Sequence, residues 1–318
     1  MKLNVALRIV VLTLIAVKSL HCQESVCKLF ADLKGANGKQ LVLTGDLIIS
    51  KSSSALGSAI CDYRYTAPVE GVNNMFPTAL HLRPSPAVTP AQLKEFQNAG
   101  IEADRLRAEG KVVRASGSFS GLLRVAPVGT LPAELTFDSF NDLRVETLPA
   151  ADSLPVVPIC ELFQNLSQWS GKRIAVRGEV VATFEGSWIR GHCKGAFYTN
   201  EHRWPTGLSL GVPAYQSYEY EKLYEPTWPP LAKGASELSV STTATLVGIL
   251  NMRSEYHLVC LRNGKYLGNG FGHLNSAAGE LLVDTVLNVE VNDQTEESIP
   301  SKETEQRCVP SASVPLWP

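Results

Sequence analysis

The sequence predicts an all-β protein with short helices, built as two tandem five-stranded barrels behind a leader segment. Three observations predict it: an internal repeat at a fixed offset, apolar β-branched runs in the same order in each copy, and cysteines at matched positions.

The repeat comes first because it sets the organisation. Cys27-Lys-Leu-Phe-Ala-Asp-Leu, Gly38-Lys-Gln-Leu-Val-Leu-Thr-Gly-Asp46 and Cys61 recur as Cys160-Glu-Leu-Phe-Gln-Asn-Leu, Gly171-Lys-Arg-Ile-Ala-Val-Arg-Gly-Glu179 and Cys193. The offset is 133 from Cys27 to Cys160, 133 from Gly45 to Gly178, and 132 from Cys61 to Cys193. Later, Pro132-Ala-Glu-Leu135 matches Ala278-Gly-Glu-Leu281 at an offset of 146, so the second copy carries about 14 extra residues. The division that follows is a leader at 1–22, a first copy at 23–147, a proline-rich linker at 148–158, a second copy at 159–292 and a polar tail at 293–318.

In the first copy, Leu29, Phe30 and Leu33 give residues 26–33 a short helical face. Residues 40–50 read as a strand, with Gly45 as a bend. A second strand is expected to run into Cys61 and Tyr65, and a third to cover 78–82. Thr89, Pro90 and Gln92 then form a helix start with a capping box, and Asn98-Ala-Gly100 is expected to stop that helix. A further short helix reaches Ala108, and long strands follow at 111–125 and 134–146.

The second copy repeats the order. A helix is expected at 160–169, and strands at 173–184, at 187–193 with an extension through Tyr198, and at 207–211. A helix at 215–224 and strands at 239–260 and 279–291 complete it. Three strands, a helix, then two strands is the order of the OB-type barrel, a five-stranded Greek-key design. The stretches GKRIAVRGEVVATFEGSWI and NGFGHLNSAAGELLVDTVLNVE resemble stretches of exported bacterial proteins with an OB-like barrel. That resemblance implies the barrel and the compartment and brings no activity with it.

The leader has a positive start (Lys2, Arg8) and an apolar core at 9–17, followed by Ser19-Leu-His-Cys22: the layout of a secretory signal peptide. Its apolar run is too short for a membrane helix, which needs about 20 residues. Removing Cys22 leaves Cys27, Cys61, Cys160, Cys193, Cys260 and Cys308, an even set suited to an oxidising, secreted or periplasmic location. Because one pair recurs per copy, Cys27–Cys61 and Cys160–Cys193 are expected, which leaves Cys260 and Cys308 for each other. Net charge is −2 with no basic cluster, which argues against nucleic acid as a partner.

No motif fixes a reaction. A nucleophile elbow is absent, and Gly268-Asn-Gly-Phe-Gly-His273 lacks the βαβ setting of a dinucleotide loop, so it reads as a glycine-rich turn. Aromatics are uneven: Trp169, Trp188, Trp204, Trp228 and Trp317 all follow residue 158, with Tyr198 and four further tyrosines nearby. The expectation is a non-catalytic binding module without a cofactor. Trp188, Tyr198, Trp204, Phe271 and His273 of the second copy would hold a glycan or peptide on an exposed aromatic surface. Two alternatives remain: a structural or assembly protein with no small ligand, and a metal-dependent hydrolase using His192, His202 and His273.

Overall fold

The computed structural model describes residues 24–49, 54–58, 60–61, 65–69, 72–76, 78–183, 186–195, 197–199, 202–213, 240–253, 255–256, 258–260, 266–272 and 276–291. The expected leader, the helix at 215–224, the tail, His273 and Cys308 lie outside the described residues. Two compact units are present. One comprises Met1–Gly57, Arg64–Gly100 and Ala115–Arg144; the other comprises Ser58–Tyr63, Ile101–Arg114 and Val145–Pro318. Each is built on a closed five-stranded barrel.

The first copy opens with β1 (Glu24–Ser25) and the single turn α1 (Val26–Leu29), capped where Ser25 Oγ accepts from the Lys28 amide. The strands β2 (Gln40–Ile49), β3 (Ser54–Gly57), β6 (Ala79–Pro84), β7 (Val113–Arg124) and β8 (Glu134–Thr147) form the barrel. A hairpin of β4 (Tyr65–Val69) and β5 (Val72–Phe76) lies between β3 and β6. The sheet order β2-β3-β6-β8-β7 closes by pairing β7 back to β2, and β6 runs parallel to β8. This is the OB order that the sequence predicts. Inside, Phe96, Phe119, Phe137 and Phe140 meet at centroid distances of 5.3 to 6.3 Å.

Phe96 comes from α2 (Pro90–Ala108). Its start is the capping box: the Gln92 amide donates to Thr89 Oγ1 at 3.3 Å, and the Thr89 amide donates to Gln92 Oε1 at 3.1 Å. The expected stop at Gly100 is not used, and one helix runs through to Ala108. The buried positions explain this, since Phe96, Gly100, Ala103 and Leu106 keep one continuous face at helical spacing.

The second copy repeats the design with β9 (Val156–Pro158), α3 (Ile159–Leu162), β10 (Arg173–Thr183), β11 (Gly186–Arg190), β14 (Gly207–Gly211), β15 (Val240–Met252) and β18 (Gly279–Val291). Two hairpins are added: β12 (Phe197–Thr199) with β13 (His202–Trp204), and β16 (Leu258–Cys260) with β17 (Tyr266–Gly268). The barrel closes as β10-β11-β14-β18-β15-β10, again with one parallel pair, β14–β18. The segment expected as a linker therefore contributes β9, which pairs in parallel with β10. The expected strand extension through Tyr198 does not form. β11 ends at Arg190, and Tyr198 belongs to the β12–β13 hairpin.

The repeat holds residue by residue. Glu24 pairs with Leu43, and Val157 with Val176, each 133 positions later. Gly45 and Gly178 are both required by close approach. A Cβ on Gly45 would lie 2.4 Å from the Gly57 carbonyl oxygen, and one on Gly178 would lie 2.9 Å from the Arg190 carbonyl oxygen. Asp142 and Asn288, offset by 146, adopt left-handed φ values of 53° and 43°. The register of β15 with β18 leaves Asn288 as an extra residue, a bulge that bends the long last strand. A second register shift leaves Asp284 extra in the same way. The extra length of copy two lies between β15 and β18, where residues 253–278 stand against 125–133 of copy one.

Two disulfides staple the chain. Cys160–Cys193 is formed, 33 residues apart, and Cys27 and Cys61 are both disulfide-bonded, as the repeat predicts. The side chain of Cys260 lies outside the described residues.

Candidate functional site

The register of the second barrel puts four unlike side chains in one row. Trp188 of β11 pairs with Ser209 of β14, Ser209 with Glu280 of β18, and Glu280 with Asn251 of β15. Their chain neighbours Ile189, Leu208, Leu210, Leu281 and Leu250 belong to the barrel core, so alternation turns the row to the outer face. With strands about 4.8 Å apart, three spacings make a row of about 14 Å. Next along this face, Ile249 and Leu282 are covered by Ile60, Val112 and Leu148.

The turn from the inserted segment borders the row. Gly272 has φ +70°, and a Cβ there would sit 2.8 Å from Ser209 Oγ and 3.4 Å from the indole nitrogen of Trp188. Glycine is needed on both counts: the left-handed backbone, and the contact with row side chains. Arg253 fixes this turn. Its Nε donates to the Asn269 carbonyl at 2.7 Å, its Nη2 to the Gly270 carbonyl at 3.3 Å and its Nη1 to the Cys61 carbonyl at 3.2 Å. Its guanidinium lies 4.1 Å from the centroid of the Phe271 ring.

These contacts correct the expected aromatic surface. Phe271 is 1% exposed, with Arg253 on its ring and backbone bridges to Ala277, so it offers no face to a ligand. Trp204 is also 1% exposed. Its indole donates to Thr199 Oγ1 at 2.5 Å, and its ring meets Tyr256 at 5.1 Å and His202 at 4.9 Å. Tyr256 in turn contacts Phe197 and donates its hydroxyl to the Ala278 carbonyl. Trp204 therefore joins the hairpin to the core through buried ring area and a satisfied N–H. Trp188 is half-buried, with its ring against Gly186, and Tyr198 is 59% exposed on the hairpin. Among the described members of that set, Trp188 lies beside the turn at Gly272, Tyr198 and Trp204 share the β12–β13 hairpin, and Phe271 is enclosed by Arg253.

Burial holds His202 below the usual imidazole range. His192 is 88% exposed, and its Nε2 stands 3.9 Å from Glu179, which also accepts from Arg190 at 2.9 Å. Among the described residues, no three His, Cys, Asp or Glu side chains gather as a metal site. No helix of the described residues is long and apolar enough to cross a membrane.

The matching outer face of the first barrel has different chemistry. Ala55 pairs with His81 and His81 with Glu134, so Ala55 stands where the second barrel has Trp188. His81 Nδ1 and Glu134 Oε2 are 3.2 Å apart, and Thr136 Oγ1 also donates to Glu134. Sequence reasoning missed Ser209, Asn251 and Glu280. Their signal is present as single polar residues inside apolar strands, but only the register shows that they share a row with Trp188.

No family model matches this chain. Comparison with curated proteins and with solved structures found no match either. The two disulfides fit an oxidising, extracellular location.

Proposed function

We propose that this protein is an exported, non-catalytic binding module whose ligand rests on the outer face of the second barrel, over Trp188. Export is supported by the leader layout (Lys2, Arg8 and the apolar run at 9–17) together with the disulfides. The single observation behind the binding reading is the half-buried Trp188 indole at one end of a row of hydroxyl, carboxylate and amide groups. A flat apolar ring beside a few placed polar groups suits a sugar ring or a peptide. The OB design presents ligands on its second and third strands, which here are β11 and β14. Copy one has Ala55 at the matching position and serves a structural role.

The test separates Trp188 from Trp204 on glycan and peptide arrays. Trp188→Ala loses binding and keeps the melting temperature. Trp204→Ala loses stability, by about 3–5 kcal/mol for a buried tryptophan. Wild-type binding by Trp188→Ala overturns the proposal.

A further inference from the structure

We infer that Asn269-Gly270, in the turn held by Arg253, is a self-modification site: the Gly270 backbone nitrogen attacks Asn269 Cγ, closes a succinimide ring and expels ammonia. In that step the bond from Gly270 N to Cγ forms and the bond from Cγ to Nδ2 breaks. The Gly270 amide proton leaves with Nδ2 as part of the ammonia. One water then adds across either ring C–N bond and gives aspartate or isoaspartate, so the only co-reactant is solvent. The inference stands independently of the binding reading above.

The sequence holds three Asn-Gly pairs, and two of them, Asn37-Gly38 and Asn269-Gly270, lie among the described residues. Glycine matters because, with no Cβ, it leaves its amide nitrogen open to the side chain before it. The two pairs have opposite settings. At the first, both reacting groups are tied: the Gly38 amide donates to the Leu123 carbonyl at 2.9 Å, and Asn37 Oδ1 accepts from the Val125 amide at 2.8 Å. At the second, the Gly270 amide makes no hydrogen bond among the described residues. The Asn269 side chain is half-buried, and it is held through the nitrogen that leaves, Nδ2, which donates to the Glu255 carbonyl at 3.0 Å.

Arg253 supplies the second observation. The peptide group that must lose its proton joins Asn269 to Gly270, and its carbonyl oxygen accepts from Arg253 Nε at 2.7 Å. The Gly270 carbonyl accepts from Nη2 of the same side chain at 3.3 Å. As the amide nitrogen gives up its proton, negative charge spreads onto the Asn269 carbonyl oxygen, where a buried guanidinium already stands. A fixed donor at the place where charge develops lowers the barrier, and a charged donor does so most. The product changes this turn. Isoaspartate adds a carbon to the main chain and a carboxylate beside it, three residues before the point where Gly272 meets Ser209 and Trp188.

The experiment ages the full chain in mildly alkaline buffer, once folded and once in urea, and maps aspartate and isoaspartate by tandem mass spectrometry after trypsin. Cleavage after Lys34, Lys39, Arg262 and Lys265 puts the three Asn-Gly pairs in separate peptides, 35–39, 263–265 and 266–302. In the folded protein Asn269 converts about tenfold or more ahead of Asn37, where attack must first give up a hydrogen bond. In urea the two convert at similar rates, and Asn269 is no slower folded than unfolded. Arg253→Gln slows conversion at Asn269 and leaves Asn37 as it was. A variant that fails to fold is recognised by Asn37 converting at its urea rate, and the wild-type comparison then decides the matter alone. Asn37 keeping pace with Asn269 in the folded protein would overturn the inference. So would an Asn269 that reacts more slowly folded than in urea, or a folded Arg253→Gln protein in which Asn269 converts as fast as in the wild type.

Discussion

Replacing Asp284 with alanine leaves the guanidinium of Arg173 inside the second unit without its carboxylate. In the native fold Arg173 donates from Nε to Asp284 Oδ2 at 2.8 Å and from Nη2 to Oδ1 at 2.7 Å, and Thr285 Oγ1 adds a third bond. The two side chains are 9% and 0% exposed. Breaking a buried pair from one side costs about 3–5 kcal/mol, because the remaining charge stays desolvated. For the second copy, 159–292, about 130 residues melting together, an unfolding entropy near 2.1 cal/mol/K per residue turns ~4 kcal/mol into a melting shift of about 15 °C. The repeat supplies the control. Gln40 and Asp138 occupy the positions matching Arg173 and Asp284, and Gln40 Nε2 donates to Asp138 at 2.8 Å. Ser85 Oγ also donates to Asp138, at 2.7 Å, but no buried cation depends on this carboxylate, so Asp138→Ala costs about 1–2 kcal/mol for the two hydrogen bonds. All five tryptophans follow residue 158, so urea unfolding read by tryptophan fluorescence reports the second unit; far-UV circular dichroism follows the control. Arg173→Gln, which installs the pair of the first barrel, is milder than Asp284→Ala. An Asp284→Ala protein within about 1 kcal/mol of wild type would refute the reasoning.

Two further outcomes follow from the second copy. Burial lowers the His202 pKa, so the folded state prefers the neutral ring while the unfolded chain takes up a proton near pH 6.5. Stability is then full above that pH and falls as pH drops towards the depressed folded value; His202→Gln flattens the decline in melting temperature between about pH 7.5 and 5.5. A decline of equal slope in both proteins contradicts this assignment. Cys160→Ser with Cys193→Ser opens a loop whose ends are 33 residues apart, and loop entropy gives a loss of about 3–4 kcal/mol at the urea midpoint. Unchanged stability would mean that the staple does not limit the unfolded chain.

The barrels were legible because their signals are local. Alternation and β-branching mark 40–49, 173–183 and 279–291, and the offsets of 133 and 146 align the copies even to the left-handed residues Asp142 and Asn288. The hairpins were not, since strands as short as Phe197–Thr199 and His202–Trp204 carry no period to count. The chain turns after β11 because the Gly191 amide donates to the Thr206 carbonyl while Cys193 bonds to Cys160, and neither contact is local enough to read from sequence. Residue type does not say which side a ring faces, so from sequence Trp204 and Phe271 read as surface. Trp204 is turned inward by its hairpin, and Phe271 is covered by Arg253. Asn251 escaped notice for the opposite reason. A lone amide in an apolar strand gains meaning only when Glu280, Ser209 and Trp188 line up beside it.

The most direct test of a ligand face at Trp188 is the set of tryptophan indole N–H resonances during titration of the protein with a ligand found on the glycan and peptide arrays. The account predicts that the Trp188 resonance moves with ligand, while that of Trp204, held by Thr199, stays in place. Movement at Trp204 with Trp188 still would contradict it.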